Sequence, residues 1–410
     1  MWQRLIRHSV LFGLAACAGC SPELFSPTDG SLSDTLASVA TAGATASGSP
    51  AATHSDPPTG QAQHTQTVIS GSVAGSGDYQ LFELGAAGLG DEWTIVDQTV
   101  DSSGRSFLVV LLNSESDLLQ RQLISGGTPL DHTVRGDTEM LYLGVAPAYG
   151  GSGGSFRLNV QRTGGVSVPA PRKQVVWLNF GAGADVQIHG RSGLSFNPFS
   201  GALAGPDYAA ATAELKAAIV AAMREDYAPY NVTVLSSDDG PAPEGAHATL
   251  HFGGSDDQLL GLADSIDQYN TNLGEAAIIY VESFAVFETM QLSPEEMGQM
   301  IGNVASHEFG HLLGLFHTRV PQDIMDTTGS AWDLAADQSF LRAALEPSVF
   351  PYGYENSGQR LAETLGGRPG AKSVAAKVLL DERALRKVEL RAQTRAILRY
   401  RCGNCLNPDD

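Results

Sequence analysis

The sequence predicts a multidomain protein in which an all-β sandwich precedes an α/β (α+β) layered domain with a mixed five-stranded sheet. Residues 66–165 contain short β-rich runs, often alternating between apolar and polar, which are separated by clusters of Gly, Ser and Asp. Residues 172–350 instead mix strand-like runs with two long stretches of helical periodicity. With 410 residues, of which 42% are hydrophobic, the chain can bury a core in both parts.

The first twenty residues predict an export signal. Arg4 and Arg7 precede an apolar run, "SVLFGLAA", that is too short to span a bilayer permanently. The following "LAAC" resembles a bacterial lipobox, which implies lipidation of Cys17. Lipidation of Cys20, in "AGC", and an ordinary cleaved signal are the alternatives. We therefore expect an exported protein, either an outer-membrane or cell-surface lipoprotein held by a lipid anchor, or a secreted or periplasmic protein.

Composition also bounds the linkers and the partners. Residues 21–65 are rich in Ser, Thr, Ala, Pro and Gly without apolar periodicity, which predicts a disordered tether. The formal net charge is −20, but residues 366–410, within the predicted C-terminal tail (351–410), carry ten Lys and Arg against five Asp and Glu. Because a phosphate backbone requires a basic surface, we expect no nucleic acid partner.

The strands and helices of the second part follow from local patterns. The second long helix begins at a Ser293–Pro294–Glu296 signature that combines an N-cap, a first-turn proline and a capping box. The first long helix is predicted over residues 207–228. Five runs predict strands, and they are 174–180, 231–237, 247–254, 260–266 and 276–283.

The segment "HEFGHLLGLFH" places three histidines and a glutamate within eleven residues. His307 and His311 are one helical turn apart, so their rings share a face. A catalytic zinc ion takes three protein ligands and keeps one position open for water. A helix that ends at Gly314 with positive φ would bring His317 back toward the same ion. Glu308 is placed to act on the water without binding the metal. The pattern therefore predicts one catalytic Zn²⁺ site.

The longer segment "NVASHEFGHLLGLFHT" resembles the zinc-binding consensus of the metzincin metalloproteases and is most similar to their matrixin branch. The resemblance implies zinc ligands at His307, His311 and His317, with Glu308 as the general base. It also implies that Met325, in "DIMD", is the methionine of the tight turn beneath the metal. Zinc-dependent hydrolysis of peptide bonds in protein or peptide substrates is the activity that the resemblance implies.

More weakly, the resemblance extends across about residues 174–350. It implies a sheet-edge strand that pairs with the substrate backbone, an ordinary strand being the alternative. The candidate substrate-pairing residues are Leu262, Ala263, Asp264, Ser265 and Ile266.

Three features depart from the family pattern. Thr318 stands where the matrixin branch usually has serine, and no tyrosine follows Met325 closely, so the side chain that stabilises the oxyanion is not identified. The extra histidine cluster for a structural zinc ion is also missing. The acidic segment "GGSDDQ" (253–258) is either a Ca²⁺ site or a solvated turn.

The flanking regions carry weaker resemblances. Residues 66–165, through "GDYQLFEL" and "YLGVAPAYGGSGGSFRLNV", resemble the pre-peptidase C-terminal modules of secreted bacterial proteases, and they are either a retained accessory module or an inhibitory prosegment. In the helical basic tail, "RCGN" is similar to the cysteine-switch segment of matrixin prodomains, which would place Cys402 on the zinc. A Cys402–Cys405 disulfide or an exposed thiol pair is the alternative.

Two other functions fit the same motifs. One is a non-catalytic cell-surface binding or adhesion protein that retains a metal site, and the other is a non-peptidase zinc amidohydrolase. Glu308 favours an enzyme over the binding protein, because a purely structural zinc site fills its fourth position with another protein ligand.

Overall fold

The computed structural model describes four stretches of the chain, residues 64–99, 106–124, 128–148 and 151–368. All of them belong to one compact unit. The predictions for the signal, for Cys17 and Cys20, for nearly all of the tether, and for Cys402 and Cys405 concern residues outside these stretches. In the stretches that the structure describes, no helix is long and apolar enough to cross a membrane.

Residues 64–163, called the β-region below, form two four-stranded antiparallel sheets. One sheet has the strand order β1-β8-β3-β6 and the other β2-β7-β4-β5. Side chains from both sheets share one hydrophobic core, as the alternating pattern predicts. The strands are β1 (His64–Val73), β2 (Gln80–Ala87), β3 (Glu92–Asp97), β4 (Phe107–Leu112), β5 (Leu118–Ile124), β6 (Leu130–Thr133), β7 (Thr138–Pro147) and β8 (Gly154–Thr163).

Strand β4 is buried on both faces. Val109 and Leu111 point into the core between the two sheets. Leu108 and Val110 point the other way, into a second apolar cluster that includes Phe350 from much later in the chain. Because neighbouring residues of a strand face opposite sides, an uninterrupted "FLVVLL" run is explained by cover on both sides of this sheet.

Residues 174–365, called the metal-site region below, combine a mixed sheet with helices. Its strands are β9 (Gln174–Asn179), β10 (Gly183–Ile188), β11 (Arg191–Phe196), β12 (Val232–Ser236), β13 (Ala248–Phe252), β14 (Gly261–Ala263), β15 (Ala276–Ile279), β16 (Arg342–Ala344) and β17 (Tyr354–Asn356). Its helices are α1 (Gly201–Ala204), α2 (Thr212–Asp226), α3 (Pro294–Leu312), α4 (Ala331–Ala335) and α5 (Ser357–Leu365), with 3₁₀ helices at Pro206–Tyr208 and Val281–Met290.

The predicted mixed five-stranded sheet is present in the order β12-β9-β13-β15-β14. Four strands are parallel, and β14 runs antiparallel to β15 at one edge. Helices α2 and α3 pack on one face through the large core of this region. The β10–β11 hairpin, which the sequence did not predict, covers the other face near the β14 edge through Ile188 and Phe196.

The start of α3 agrees with the predicted capping box. The backbone N–H of Glu296 donates to Oγ of Ser293 (3.2 Å), and Oε2 of Glu296 accepts from the backbone N–H of Ser293 (2.9 Å). Pro294 occupies the first helical turn, where its missing N–H costs no hydrogen bond. The beginning of the histidine-bearing helix is therefore set locally.

Several predicted boundaries need correction. The helix predicted over 207–228 begins at Thr212, and the strand predicted over 276–283 ends at Ile279, before the 3₁₀ helix Val281–Met290. The strand predicted over 260–266 is shorter, since β14 ends at Ala263. The tail predicted from residue 351 begins later, because β17 and α5 lie within it. Leu361 and Leu365 of α5 are buried in the same core as α2 and α3, so this helix is part of the folded region.

A buried ion pair joins α5 to the β-region. Nε of Arg360 donates to Oε1 of Glu355 (2.9 Å), and the two side chains are 4% and 0% exposed. The same guanidinium donates to the carbonyl oxygens of Leu118 and Leu119 on β5. Because all three guanidinium nitrogens donate, the positive charge is compensated by hydrogen bonds to carbonyl oxygens as well as by the carboxylate.

His132 of β6 is buried close to Arg360 of the metal-site region, and this position affects its pKa. Burial lowers its pKa to about 3, with further lowering by the nearby charges of Arg360 and Arg135. In the unfolded chain the pKa of this histidine is about 6.5. Below that pH the unfolded state binds a proton, whereas His132 in the folded state stays neutral. The burial of neutral His132 therefore does not lower the free energy of unfolding above pH 6.5, but it lowers that free energy progressively as the pH falls toward 3.

We expect His132→Phe to remove this contribution. Between pH 6.5 and 4.5 the free energy of unfolding of the wild type should fall more steeply than that of the variant, by up to about 1.4 kcal/mol per pH unit. Urea unfolding at several pH values measures both curves. All other titrating groups are common to the two proteins, so parallel curves would contradict the prediction.

Candidate metal centre

Helix α3 and the turn after it bring three imidazoles together. The Nε2 atoms of His307 and His311 are 3.1 Å apart, and Nε2 of His317 lies 3.1 Å from the first and 3.0 Å from the second. All three side chains are buried. Within the described residues, this is the cluster of His, Cys, Asp and Glu side chains that could hold a metal ion.

The turn that returns His317 to the site depends on glycine. Gly314 follows the end of α3 with φ of +89°, a conformation that side chains with a Cβ rarely adopt. A Cβ at this position would also lie 2.7 Å from Cα of Gln268 and 2.9 Å from the carbonyl oxygen of Asp267. The helix-ending role predicted for Gly314 thus has a conformational reason and a packing reason.

The protonation states suit metal ligation. Burial is the largest cause that lowers the pKa of each imidazole, to about 4 for His311 and well below the usual value for His307 and His317. Nδ1 of His307 lies 2.7 Å from the carbonyl oxygen of Ile324, and Nδ1 of His311 lies 2.8 Å from that of Leu315. A carbonyl only accepts, so both Nδ1 atoms carry the hydrogen and both Nε2 atoms present lone pairs.

These facing lone pairs fit a cation. The unprotonated Nε2 atoms of His307 and His311 cannot hydrogen-bond to each other, so at 3.1 Å they repel unless a positive charge lies between them. A tetrahedral zinc ion with bonds of about 2.0–2.1 Å would hold its nitrogens roughly 3.3 Å apart, close to the spacing found here. The three histidines therefore form a metal-binding site that is consistent with zinc.

Glu308 lies beside this cluster and against the sheet edge. Its side chain is 0% exposed. A Cβ added to Gly261 of β14 would lie 2.5 Å from Oε1 of Glu308, so the strand backbone approaches the carboxylate directly. Sequence reasoning missed Gly261, although a glycine inside a strand-like run is a known signal of close backbone approach.

The structure separates the five candidate substrate-pairing residues. Leu262 and Ala263 belong to β14 and are buried. The carboxylate of Asp264 accepts from the backbone N–H groups of His189 and Ala276. The backbone N–H of Asp264 also donates to the carbonyl oxygen of Ala276 (2.9 Å), which continues the pairing one residue past the strand. The other two lie farther on, where the hydroxyl of Ser265 donates to Glu275 and the side chain of Ile266 packs in the second apolar cluster.

Met325 lies beneath the helix and is fully buried. A Cβ at Gly310 would lie 2.7 Å from its sulfur, so the helix leaves room for the thioether there. The carbonyl oxygen of Met325 accepts from the backbone N–H of Thr318 (2.9 Å), whose hydroxyl donates to Asp323 (2.8 Å). Burial raises the pKa of Asp323 to about 7. Thr318 thus supplies a hydroxyl that ties the third histidine to the methionine turn.

The segment considered for calcium is organised by its own contacts. Oδ2 of Asp256 accepts from Arg191 (2.7 Å), and its Oδ1 accepts from the backbone N–H groups of Gln258 and Leu259. In the described part of the chain, no cluster of metal ligands forms at 253–258.

Comparison with known proteins assigns a class to this site. Residues 230–337 match the matrixin family, peptidase family M10. The match contains the three histidines and Glu308, and the fold places them as described above. This match and the three-histidine cluster support a metzincin-like metallopeptidase domain that includes residues 230–337.

Full-length comparisons add little. Searching curated proteins gives no match. Among solved structures, the chain is similar to a periplasmic lysozyme inhibitor, PliG, of Aeromonas hydrophila, at 13% identity over 24% of this chain and 85% of that chain, with a TM-score of 0.20. It is also similar to the pre-peptidase C-terminal domain of a Bacillus anthracis collagenase, at 19% identity over 23% of this chain and 88% of that chain, with a TM-score of 0.17. TM-scores this low do not establish a shared fold, so the resemblance of residues 66–165 to such modules stays a prediction.

Proposed function

We propose that the protein is an exported zinc-dependent endopeptidase of matrixin type that hydrolyses peptide bonds. The observation that carries this proposal is the convergence of three neutral imidazoles, with Nε2 atoms 3.0–3.1 Å apart, beside the buried carboxylate of Glu308. A site built only to hold a structural zinc ion does not need a glutamate that is not a ligand.

The residues divide the chemistry between them. His307, His311 and His317 would hold zinc, which when bound lowers the pKa of a water molecule to about 7 and polarises a peptide carbonyl. Glu308 would accept a proton on a carboxylate oxygen from the water that attacks the carbonyl carbon. It would then deliver that proton to the nitrogen of the leaving amine as the peptide bond breaks.

Strand β14 is the candidate strand for the substrate backbone, and because its residues are buried, addition of a peptide requires that this edge first be uncovered. It is the last strand of its sheet, so its outer edge is not paired with another strand of that sheet. An extended peptide added there would pass Leu262 and Ala263 and would lie next to Gly261, which contacts Glu308. Addition of a strand at this edge would bring the scissile bond close to the carboxylate.

The sequence supports a location outside the cytoplasm. We propose export through the N-terminal signal, with a membrane anchor at Cys17, or alternatively at Cys20, and protein or peptide substrates in that compartment. Radiolabelled fatty acid incorporation into the wild type and into Cys17→Ser would test the anchor, because a label that persists in the variant excludes Cys17.

Cleavage of quenched peptides by protein lacking residues 1–20 tests the activity. We expect hydrolysis that stops with a zinc chelator and returns when zinc is added in slight excess, with about one zinc ion per chain. The assay is repeated on protein that ends at residue 368, to exclude an effect of the tail. If both forms bind zinc and neither cuts casein or a varied peptide set, the proposed function is wrong.

A further inference from the structure

Strand β5 lies at an edge of its sheet, and side chains of the metal-site region cover that edge. The backbone N–H of Arg121 donates to Oε1 of Gln268 (3.0 Å), and Nε2 of Gln268 donates to the carbonyl oxygen of Arg121 (2.8 Å). Two positions earlier, the carbonyl of Leu119 accepts from the hydroxyl of Tyr269 (2.9 Å). A side-chain amide therefore takes the place of a neighbouring strand at Arg121.

The loop that carries Gln268 is attached to the end of the metal-binding helix. The backbone N–H of Asp267 donates to the carbonyl oxygen of His311 (3.0 Å). The same loop packs against Gly314, where no side chain separates the two backbones. Any shift of this loop would move the end of the helix at the second histidine.

The side chain of Arg121 reaches the opposite side of the site. Its Nε donates to the carbonyl oxygen of Val349 (2.9 Å), and its guanidinium carbon lies 5.6 Å from the centre of the Phe316 ring. Phe316 directly precedes His317. The segment that contains Val349 is itself bonded to the third histidine, because the backbone N–H of Glu346 donates to the carbonyl oxygen of His317 (3.0 Å).

Arg121 thus contacts two separate supports of the metal centre. Its backbone holds the loop that meets His311, and its side chain holds the segment that meets His317. His307 and His311 share one helix, which fixes their spacing. His317 follows a turn, so its position relative to the helix needs support from outside.

We propose that Arg121, together with Gln268, is a positioning residue of the metal centre, through which the β-region sets the placement of His317 relative to His311. The β-region then supports the geometry of the zinc ligands, although it contributes no ligand itself. This inference rests on the zinc site of the proposed function, but it does not require that the protein cleaves peptides.

Arg121→Met and Gln268→Ala test the proposal in the full chain. Methionine keeps an apolar stem against Phe316 and removes the donors to Val349, whereas Gln268→Ala removes the paired bonds to the β5 backbone. Zinc affinity is measured by competition with a chromophoric chelator, and the visible absorption of the Co²⁺-loaded protein reports ligand geometry. We expect each variant to bind zinc about 10- to 100-fold more weakly and to shift the Co²⁺ bands.

Two further variants separate positioning from a general loss of structure. Arg157→Met changes an exposed arginine of the same β-region and should leave both signals at wild-type values. Arg121→Lys keeps one cationic donor group, the ammonium, and should therefore bind zinc more tightly than Arg121→Met but more weakly than the wild type. The unfolding temperature of each metal-free protein is recorded alongside.

The outcomes decide the matter. If Arg121→Met lowers the unfolding temperature but leaves the zinc affinity and the Co²⁺ spectrum unchanged, the residue is merely structural and the proposal is wrong. If Arg121→Met does not fold, Gln268→Ala decides alone, and unchanged zinc binding there overturns the proposal. If zinc binding weakens as expected while the wild type cuts no peptide, the positioning role stands and the proposed function fails.

Discussion

Glu308→Gln should reduce peptide hydrolysis by about 10²- to 10⁴-fold while the zinc content stays at the wild-type level. Glutamine keeps the size of the side chain and its packing against Gly261, but its amide cannot take a proton from water. The three histidines are untouched by the change. The measurement is kcat/KM on a quenched peptide, with zinc quantified on the same preparation.

A matched control lies on the same helix. Glu295 is exposed in the first turn of α3, and Glu295→Gln should leave both activity and zinc content unchanged. Wild-type activity in Glu308→Gln would show that this carboxylate is not the general base. Loss of zinc from Glu308→Gln would instead indicate a role in forming the site.

Arg360→Met should destabilise the folded chain by about 3–5 kcal/mol at pH 7, because it leaves the carboxylate of Glu355 buried without its partner. The change also removes donors to the carbonyls of Leu118 and Leu119. Burial raises the pKa of Glu355, and the charge and hydrogen bond of Arg360 are the largest causes that lower it. Urea unfolding at pH 7 measures the loss of stability.

The pH dependence and a double variant sharpen this prediction. Burial already raises the pKa of Glu355 in the wild type, and without Arg360 it would rise further. The loss of stability relative to the wild type should therefore grow as the pH rises above the usual glutamate range. Arg360→Met with Glu355→Gln should be more stable at pH 7 than Arg360→Met alone. If the free energy of unfolding of Arg360→Met lay within about 1 kcal/mol of the wild-type value at pH 7, Arg360 and Glu355 would not be a buried, coupled pair.

Local rules were enough to predict the metal centre from the sequence. Helical spacing places His307 and His311 on one face, and Gly314 with the capping box at Ser293 defines where the helix ends and begins. These features depend on residues close together in the chain. The same reasoning did not predict the strand order of any sheet, because strand pairing depends on residues that are far apart in the chain.

The misses share this physical cause. Gly261 matters because Glu308, 47 positions later in the chain, packs on it. A glycine inside a strand-like run indicates a close approach, but it does not indicate which distant residue makes it. Helix α5 lies within the stretch predicted as the basic tail, although Leu361 and Leu365 place one of its faces in the core. The run "FLVVLL" did carry a usable signal, since a strand that is apolar at every position is typical of burial on both faces.

The packing of Phe350 bears on how such a protein responds to proteolysis. A Cβ added to Gly144 of β7 would lie only 2.7 Å from Cζ of Phe350, so the ring packs directly on the backbone of that strand. The Phe350 side chain is fully buried between the β-region and the metal-site region. A proteolytic cut between the two regions would leave the two fragments in contact through this apolar cluster. Separation of the β-region would expose Leu108, Val110 and Phe350 to water and favour aggregation.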